Sequence, residues 1–438
     1  MGVAETFQRF FNSNFKTRDR LSRVIFVFQL RLYLGFSGNS IYRSLKTYDN
    51  VWTMPIQFRD RWPRSDSGIL EGDFGWWTES LIPNLEPTAT HESPISRTEV
   101  HPMKFLILLL ALLPASLFAA DTLDIYWIDV EGGAATLIVT PGGDTVLVDA
   151  GWPGFEGRDM KRIKSVLGEQ AKASKIDYFI TSHFHRDHVG GLPRLAAEVP
   201  IGKFVDHGDS VEQERPNGKE LWQSYLSVAK GKRMQVKPGD KLPLSGAGLT
   251  FVTARSRVLD KPLKPTGPNP LCDGAKLMEE DTGENGKSVG FILSRGAFEF
   301  LDLGDLTWNV EHTLGCPENL IGEIDLYQVT HHGLSNSGAP QHLWAAKPRV
   351  AVMNNGPRKG GAPAAFETIS KSPGLEDIWQ VHRSLETDEA HNTSKKMIAN
   401  FEETEDCKGH WIKASVAADG AYTITNGRNN FSKTYKAR

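Results

Sequence analysis

The segment from His183 to His188 constrains this chain more than any other, because four of its six residues carry metal-binding side chains. It reads His-Phe-His-Arg-Asp-His and follows a short apolar run, Ile176 to Ile180, that is typical of a buried strand. Two glycines, Gly190 and Gly191, come shortly after it. Open α/β sheets place their chemistry in loops at the carboxyl ends of strands, so the pattern predicts an α/β fold with a metal site at that edge.

The spacing within this loop divides its donors into two sets. If the segment is extended, the side chains of His183 and His185 can converge on one ion. Asp187 and His188 then face a second ion close by. Imidazole and carboxylate ligands at this density suit Zn²⁺, with Fe or Mn as alternatives. A solvated, histidine-rich loop is the competing interpretation, but a chance cluster of this kind directly after a buried strand is improbable.

The hexapeptide with its trailing glycines resembles the signature of the metallo-β-lactamase-fold hydrolases. The resemblance covers roughly Leu123 to Met353 and implies a four-layer αββα sandwich, in which two sheets pack face to face with helices outside. It also implies that Asp149, in the strand-end turn Asp-Ala-Gly, supports the metal loop without binding metal. Carboxylates in such positions orient ligating histidines and raise their basicity.

Two later strand ends supply ligands that the resemblance implies. His207 ends a short apolar strand and is expected to be the third histidine of the first ion. Asp305 follows a strand and a tight glycine turn, and is expected to bridge both ions. Asp302 lies within that strand and is the weaker candidate. An ordinary surface histidine and a metal-free Gly-Asp turn are the alternative interpretations.

The last implied ligand comes from a pair of adjacent histidines, His331 and His332, that closes another apolar strand before Gly333. The His-His-Gly form resembles a sub-branch that includes the nuclease-like domain of DNA-uptake competence proteins and phosphorylcholine esterases. The residues alone leave open which histidine binds metal, and we favour His331, at the strand terminus. The predicted metal ligands are therefore His183, His185, Asp187, His188, His207, Asp305 and His331, and the predicted catalytic residues are Asp187 and His332.

Two divalent ions held in this way are expected to lower the pKa of a bridging water, supply hydroxide and polarise the bond under attack. His332 is then expected to stabilise the transition state or protonate the leaving group. We favour an ester or phosphodiester substrate, with β-lactamase or lactonase activity as the alternative. Tyr327 and Gln328 do not match the Lys or Ser pattern that β-lactamases use for the β-lactam carboxylate. A non-catalytic metal-binding or ligand-binding protein is the alternative of another class.

A second informative feature lies upstream, where Met103 and Lys104 precede an uncharged apolar stretch, Phe105 to Ala120. A basic start, an apolar core and a small-residue end are typical of a secretory signal peptide. The stretch is shorter than the roughly 20 residues that a membrane-spanning helix needs. The sequence therefore predicts a secreted or periplasmic protein without a stable membrane span in its mature form. Anchoring in a membrane through residues 105–120 is the alternative.

This signal-like segment, residues 103–120, divides the chain into predicted regions. Residues 1–102 show no sustained helical or strand period and are predicted to be a spurious or disordered extension. Residues 121–363 are predicted to form the hydrolase domain, and residues 364–438 a C-terminal extension of helix and strand packed on it. Within the domain, Leu259 to Lys287 is rich in Pro, Gly and acidic residues and predicts a long loop near the site.

Composition bears on the partners and on the compartment. The 50 basic and 53 acidic residues give a net charge of −3, which is not typical of a surface dedicated to nucleic acid, so we expect a small-molecule or polymer-derived substrate. The oligomeric state is not indicated. The three cysteines, Cys272, Cys316 and Cys407, lack the spacing of a zinc site. One disulfide and one free thiol are compatible with an oxidising compartment, with the pairing left open.

A further strand-end loop follows the apolar run Arg349 to Met353. It carries Arg358 and Lys359, which could help to bind an anionic group of a substrate. A solvated loop is the simpler interpretation of these two charges, and we favour it.

Overall fold

The structure, a computed structural model, describes residues 122–403 and 407–438, together with the backbone of two strands nearer the N-terminus. Those strands, β1 (Tyr42–Thr47) and β2 (Asn50–Pro55), pair antiparallel as a two-stranded sheet that the sequence pattern did not indicate. The signal-like segment, residues 103–120, and the rest of the N-terminal extension lie outside the described residues. Both therefore stay predictions.

The first large sheet joins the two ends of the domain. In spatial order its nine strands are β20 (Ser432–Tyr435), β19 (Tyr422–Asn426), β18 (Ile412–Val416), β3 (Leu123–Trp127), β4 (Thr136–Val139), β5 (Thr145–Val148), β6 (Ile176–Ile180), β7 (Ile201–Asp206) and β8 (Arg233–Gln235). The strands from β5 to β8 run parallel. Because β18 pairs antiparallel with β3, the C-terminal residues belong to the sheet itself.

The second large sheet has the same number of strands and lies opposite the first. Its order is β11 (Arg257–Val258), β10 (Ala247–Ala254), β12 (Gly290–Arg295), β13 (Phe298–Asp302), β14 (Leu326–Gln328), β15 (Val350–Met353), β16 (Asp377–His382) and β17 (Ile398–Asn400), with β9 (Lys241–Leu244) paired to β10. From β13 to β17 the strands run parallel. Their carboxyl ends therefore meet at one edge, as the sequence analysis requires of a site.

Helices cover the outer face of each sheet, and the described ones are all too short to cross a membrane as an apolar span. The helices are α1 (Arg158–Ser165), α2 (Arg186–Val189), α3 (Leu192–Ala196), α4 (Pro216–Ala229), α5 (Trp308–Gly315), α6 (Pro340–Ala346) and α7 (Pro363–Ser370). Side chains from α1, α3 and α4 pack on the first sheet, and side chains from α5, α6 and α7 pack on the second.

The largest apolar core lies between the two sheets and takes side chains from both. Trp127 of the first sheet meets Phe300 of the second edge to face, with ring centroids 5.6 Å apart. Strands such as β5 are buried along their whole length, which explains why they read as continuous apolar runs. The order of layers is helix, sheet, sheet, helix, so the predicted αββα sandwich is confirmed.

The loop from Leu259 to Lys287 contains only two short helical turns and an isolated β-bridge between Pro268 and Glu318. A disulfide between Cys272 and Cys316 ties it to the segment after α5, and Cys407 is a buried free thiol. The count of one disulfide and one free thiol agrees with the sequence analysis, and the structure supplies the pairing.

Candidate metal centre

Four donor side chains converge where the strand ends of the two sheets face each other. Asp187 and His188 come from the loop after β6, Asp305 from the turn after β13, and His332 from the turn after β14. One ligand atom from each of the four lies within 4.8 Å of all the others, and all four side chains are buried. We call these four residues the converging group.

The spacing of these atoms suits tetrahedral coordination. His188 Nε2 lies 3.1 Å from Asp305 Oδ2, 3.2 Å from Asp187 Oδ2 and 3.2 Å from His332 Nε2. His332 Nε2 lies 3.4 Å from Asp305 Oδ1 and 3.5 Å from Asp187 Oδ2. Ligands about 2.0 Å from a zinc ion at the corners of a tetrahedron are about 3.3 Å apart. The converging group therefore has donor distances that match a zinc-sized cation.

The electrostatics of the converging group point the same way. Burial alone would raise the pKa of Asp305, but the neighbouring imidazoles of His188 and His332 hold it well below its usual range. Asp187 behaves in the same way next to His188. Burial opposes the protonation of His188, yet the carboxylates of Asp305, Asp187 and Asp149 raise its pKa well above the usual value. The buried carboxylates thus require positive charge between them, which a protonated imidazole or a divalent cation can supply.

Asp149 supports this arrangement from the end of β5. The Nδ1–H group of His188 donates to Asp149 Oδ2 over 2.7 Å, which directs Nε2 towards the other donors. Asp149 also accepts hydrogen bonds from the Ser182 hydroxyl at 2.6 Å and from the Ser182 N–H group at 2.9 Å. Its backbone is left-handed, with φ of 61°, a conformation that non-glycine residues seldom adopt. The structure therefore places Asp149 in the supporting position that the sequence implied.

The turns after β13 and β14, which carry Asp305 and His332, also have unusual backbone conformations. His331 and His332 both have positive φ, 54° and 55°, which carries a cost in strain. Gly304, with φ of 57°, passes so close to Ser182 that an added Cβ would lie 2.8 Å from the Ser182 Cβ atom. The two turns can therefore bring Asp305 and His332 against the loop of the first sheet.

The structure distinguishes the two adjacent histidines. His332 Nε2 belongs to the converging group, while its Nδ1 faces the Asn354 carbonyl oxygen at 3.1 Å. His331 Nε2 lies 3.4 Å from Asp305 Oδ2, and its Nδ1 is 3.1 Å from the Ser337 hydroxyl. Burial lowers the pKa of His331 to about 4. His332 therefore belongs to the converging group, whereas the sequence analysis preferred His331 as the ligand.

The other predicted ligands, His183, His185 and His207, are more widely spread, and we call them the outlying histidines. His183 Nε2 lies 3.9 Å from Asp305 Oδ2 and is buried without a hydrogen-bond partner. His185 is partly exposed, with its ring 4.7 Å from that of His183 and its Nε2 3.8 Å from Glu212 Oε2. Within residues 122–403 and 407–438, these three do not form a group of donors as close as the converging group.

His207 has a carboxylate partner that sequence reasoning missed. Its Nε2–H group donates to Glu284 Oε2 over 3.0 Å, while its Nδ1 is buried without a partner. Glu284 also accepts from the Ser210 hydroxyl at 2.6 Å and from the Val211 N–H group at 2.7 Å. Burial opposes the charge on Glu284, but its bond with His207 lowers its pKa to about 2. No local pattern distinguishes Glu284 from the other acidic residues of its loop.

A bound cation would suit these side chains on two grounds. The converging group has tetrahedral donor distances, and two buried ring nitrogens, His183 Nε2 and His207 Nδ1, have no hydrogen-bond partner. Buried polar atoms are normally paired, so an unpaired imidazole nitrogen beside carboxylates is consistent with metal binding. The residues that would hold the cation are those of the converging group, with His183 nearest to them.

A lysine also reaches the converging group. The ammonium group of Lys359 pairs with Asp187 Oδ2, and Lys359 is half-buried. The sequence analysis favoured a solvated loop here, which is wrong for Lys359. Arg358, by contrast, is exposed and pairs with Glu386 and Glu403 at the surface.

Comparison with known proteins agrees with this site. Residues 128–276 match the family model described as the metallo-beta-lactamase superfamily. That range contains Asp149, the loop of His183 to His188, and His207. The resemblance seen in the sequence is confirmed by this match.

Individual relatives are more distant. The chain is 27% identical over 275 residues to a "UPF0173 metal-dependent hydrolase" of Cupriavidus taiwanensis, covering 57% of this chain and 80% of the relative. It is 25% identical over 252 residues to "Recombination protein 2" of Haemophilus influenzae, covering 58% of this chain and 26% of that protein. The metallo-beta-lactamase fold protein YhfI of Bacillus subtilis aligns with a TM-score of 0.38 at 11% identity, over 59% of this chain and 96% of that one.

The match to the superfamily model and the converging group together define a class. The chain has the metallo-β-lactamase fold, is similar to proteins named metal-dependent hydrolases, and carries a candidate site for a divalent cation.

Proposed function

We propose that this chain is an exported hydrolase that uses two divalent ions, zinc in the first place, to cleave an ester or phosphodiester bond. The observation that carries the proposal is the converging group, in which two carboxylates and two imidazoles meet at tetrahedral distances. A bound divalent ion polarises the scissile bond and lowers the pKa of a water molecule, which makes hydrolysis feasible near neutral pH. The relatives named as metal-dependent hydrolases are in keeping with this activity.

The ion of the converging group is from here on the first ion, and the second ion is proposed for the outlying histidines, which the sequence analysis numbered in the opposite order. Glu284 holds His207 by its Nε2–H group and leaves Nδ1 available as a donor. His183 offers its unpaired Nε2, and the ring of His185 lies 4.7 Å from the ring of His183. Carboxylates that orient ligating histidines in this way are usual around metal ions.

Among the chain's own residues, His331 is the best placed to act on the substrate. It is buried beside Asp305 and its low pKa keeps it neutral near pH 7. A neutral imidazole can donate a hydrogen bond to charge that develops in the transition state. His331 thus takes the part that the sequence analysis gave to His332.

The surroundings of β14 support an ester or phosphodiester over a β-lactam. Gln328 accepts hydrogen bonds from Trp127 Nε1 at 2.7 Å and from the Thr136 hydroxyl at 2.9 Å, so it stabilises the core between the sheets. Tyr327 is buried and pairs with Thr330. Neither side chain is directed to a substrate carboxylate.

Export is supported by two features. The segment from Met103 to Ala120 has the organisation of a signal peptide. The disulfide between Cys272 and Cys316 is of a kind that persists in oxidising compartments. N-terminal sequencing of the exported protein tests the proposal, because a mature chain that retains residues 1–102 contradicts it.

A substrate panel tests the activity. Purified protein is assayed with bis-p-nitrophenyl phosphate, p-nitrophenyl phosphorylcholine, a lactone and nitrocefin, alongside His185→Ala and the surface control His391→Ala. We expect phosphodiester turnover to exceed nitrocefin turnover, to be lost in His185→Ala and to be retained in His391→Ala. Turnover confined to nitrocefin would overturn the proposed substrate class.

A further inference from the structure

We propose that Lys359 is a substrate-binding residue that pairs with an anionic oxygen beside the converging group, so that the preferred substrates carry a negative charge next to the scissile bond. This inference rests on the proposed hydrolase function and narrows its substrate class. The observation behind it is an ion pair between Lys359, which is not a predicted ligand, and Asp187 of the converging group.

The backbone around Lys359 is attached to the turn that carries His332. The Gly361 N–H group donates to the His332 carbonyl oxygen over 2.9 Å, and the Ala362 N–H group donates to the Gly333 carbonyl oxygen over 2.9 Å. An added Cβ at Gly360 would lie 2.1 Å from the His332 carbonyl oxygen. The position of Lys359 is therefore set by the same turn that presents a predicted metal ligand.

The stem of Lys359 is enclosed on the side of the first sheet. A Cβ at Gly132, whose φ is 90°, would lie 2.8 Å from the Lys359 Cβ atom. A Cβ at Gly133 would lie 2.4 Å from the Asp187 carbonyl oxygen and 3.2 Å from Trp152 Nε1. The Lys359 ammonium group lies 5.4 Å from the centre of the Trp152 ring. Two close-packed glycines and an aromatic ring thus direct the ammonium group towards the site.

The charges leave the ammonium group with capacity for an anion. Asp187 contacts both His188, at 3.2 Å, and Lys359, so one carboxylate has two cationic partners. The ammonium group has three N–H donors, and its side chain keeps 27% of its surface exposed. Lysine binds phosphate oxygens as a compact point charge. An incoming phosphodiester or carboxylate oxygen can therefore pair with Lys359 at the exposed side of the converging group.

The test compares Lys359→Met with Arg358→Met, which removes the neighbouring exposed charge. Each variant and the wild type are assayed with anionic bis-p-nitrophenyl phosphate and with neutral p-nitrophenyl acetate. We expect Lys359→Met to lower kcat/KM for the phosphodiester about 10- to 100-fold, as for the loss of a hydrogen bond to a charged group. The neutral ester should change less than about threefold, and Lys359→Arg should recover part of the loss. Equal losses on both substrates, or no loss, would overturn the inference.

A binding measurement separates this inference from the proposed function. Inorganic phosphate is titrated into the zinc-loaded wild type, Lys359→Met and Arg358→Met, and the affinity is measured by calorimetry. Weaker binding to Lys359→Met alone supports Lys359 as an anion-binding residue even if no substrate of the panel is cleaved. Equal binding to all three contradicts it, and equal zinc content of the three excludes loss of metal as the cause.

Discussion

The converging group and the outlying histidines both draw residues from the loop of His183 to His188, but they differ in structure. Asp187, His188, Asp305 and His332 meet through donor atoms 3.1 to 3.5 Å apart. The outlying histidines lie farther away, and two of them face carboxylates, His185 near Glu212 and His207 on Glu284. One half of the site is therefore organised by its own charges, and the other half by residues of surrounding loops.

This difference predicts a higher metal affinity for the converging group than for the outlying histidines. In the converging group, the buried carboxylates of Asp187 and Asp305 need positive charge close to them. Among the outlying histidines, burial together with the neighbouring imidazole of His188 lowers the pKa of His183 well below its usual value. We therefore expect the first cation at the converging group and a weaker second one at the outlying histidines.

The largest effect is expected for His188→Ala. Because three donor atoms meet His188 Nε2, its loss should lower phosphodiester turnover by more than about 100-fold, beyond the effect of losing a supporting residue. His185→Ala should also abolish turnover if the second ion is required, but should keep the first cation. A His188→Ala variant with wild-type activity would show that the converging group is not the reaction centre.

A smaller effect is expected for Asp149→Asn. The side chain of Asp149 holds His188 Nδ1–H without joining the converging group, so the substitution should lower metal affinity about 10- to 100-fold. Asp302→Asn is the matched control, because Asp302 is also a buried carboxyl at a strand end. It lies at the end of β13, where it accepts a hydrogen bond from the Gly304 N–H group. Affinities measured by competition with a zinc chelator should separate the two variants, and equal weakening would contradict the supporting role.

The disulfide offers a way to disturb the outlying half selectively. Cys272 lies in the loop that also carries Glu284, the partner of His207. In the Cys272→Ser, Cys316→Ser double variant we expect the free energy of unfolding to fall by roughly 2 to 4 kcal/mol. The second cation should be released at a lower chelator concentration, while the first is retained. Loss of both cations together would show that the two halves do not differ in this respect.

The smallest effect concerns stability alone and uses a histidine whose pKa depends only on burial. Burial lowers the pKa of His342 to about 4, below the value of about 6.5 in an unfolded chain. The unfolded state therefore binds the proton first as the pH falls, and about 3 kcal/mol of stability should be lost between pH 6.5 and 4. Urea unfolding of His342→Leu should show a shallower loss than the wild type over that range. An equal loss of unfolding free energy in the wild type and His342→Leu between pH 6.5 and 4 would contradict the lowered pKa of His342.

The fold class could be predicted from the sequence because the motif of His183 to His188 resembles that of a known family. The loop of His183 to His188 follows a buried strand, so its donors could be placed at a sheet edge from the sequence alone. The pairing of β18 with β3 could not be anticipated, because it joins segments at opposite ends of the domain. The preference between His331 and His332 also depended on tertiary structure, since both adopt positive φ in one turn.

Glu284 and Lys359 show why the rest escaped sequence reasoning. Glu284 is one acidic residue among several in a long loop, and only the folded chain brings it to His207. Lys359 and Arg358 are adjacent in the sequence, but Lys359 pairs with the buried Asp187, whereas Arg358 pairs with Glu386 at the surface. Neither outcome is encoded in periodicity or composition.

The proposed two-ion site is tested most directly by the metal content of purified protein. It is measured by elemental mass spectrometry for the wild type, His332→Ala and His207→Ala. We expect two divalent ions per chain in the wild type. We also expect that His207→Ala keeps the ion of the converging group and that His332→Ala loses it. A wild type with less than one ion per chain, or a His332→Ala variant that binds metal as the wild type does, would contradict the central claim.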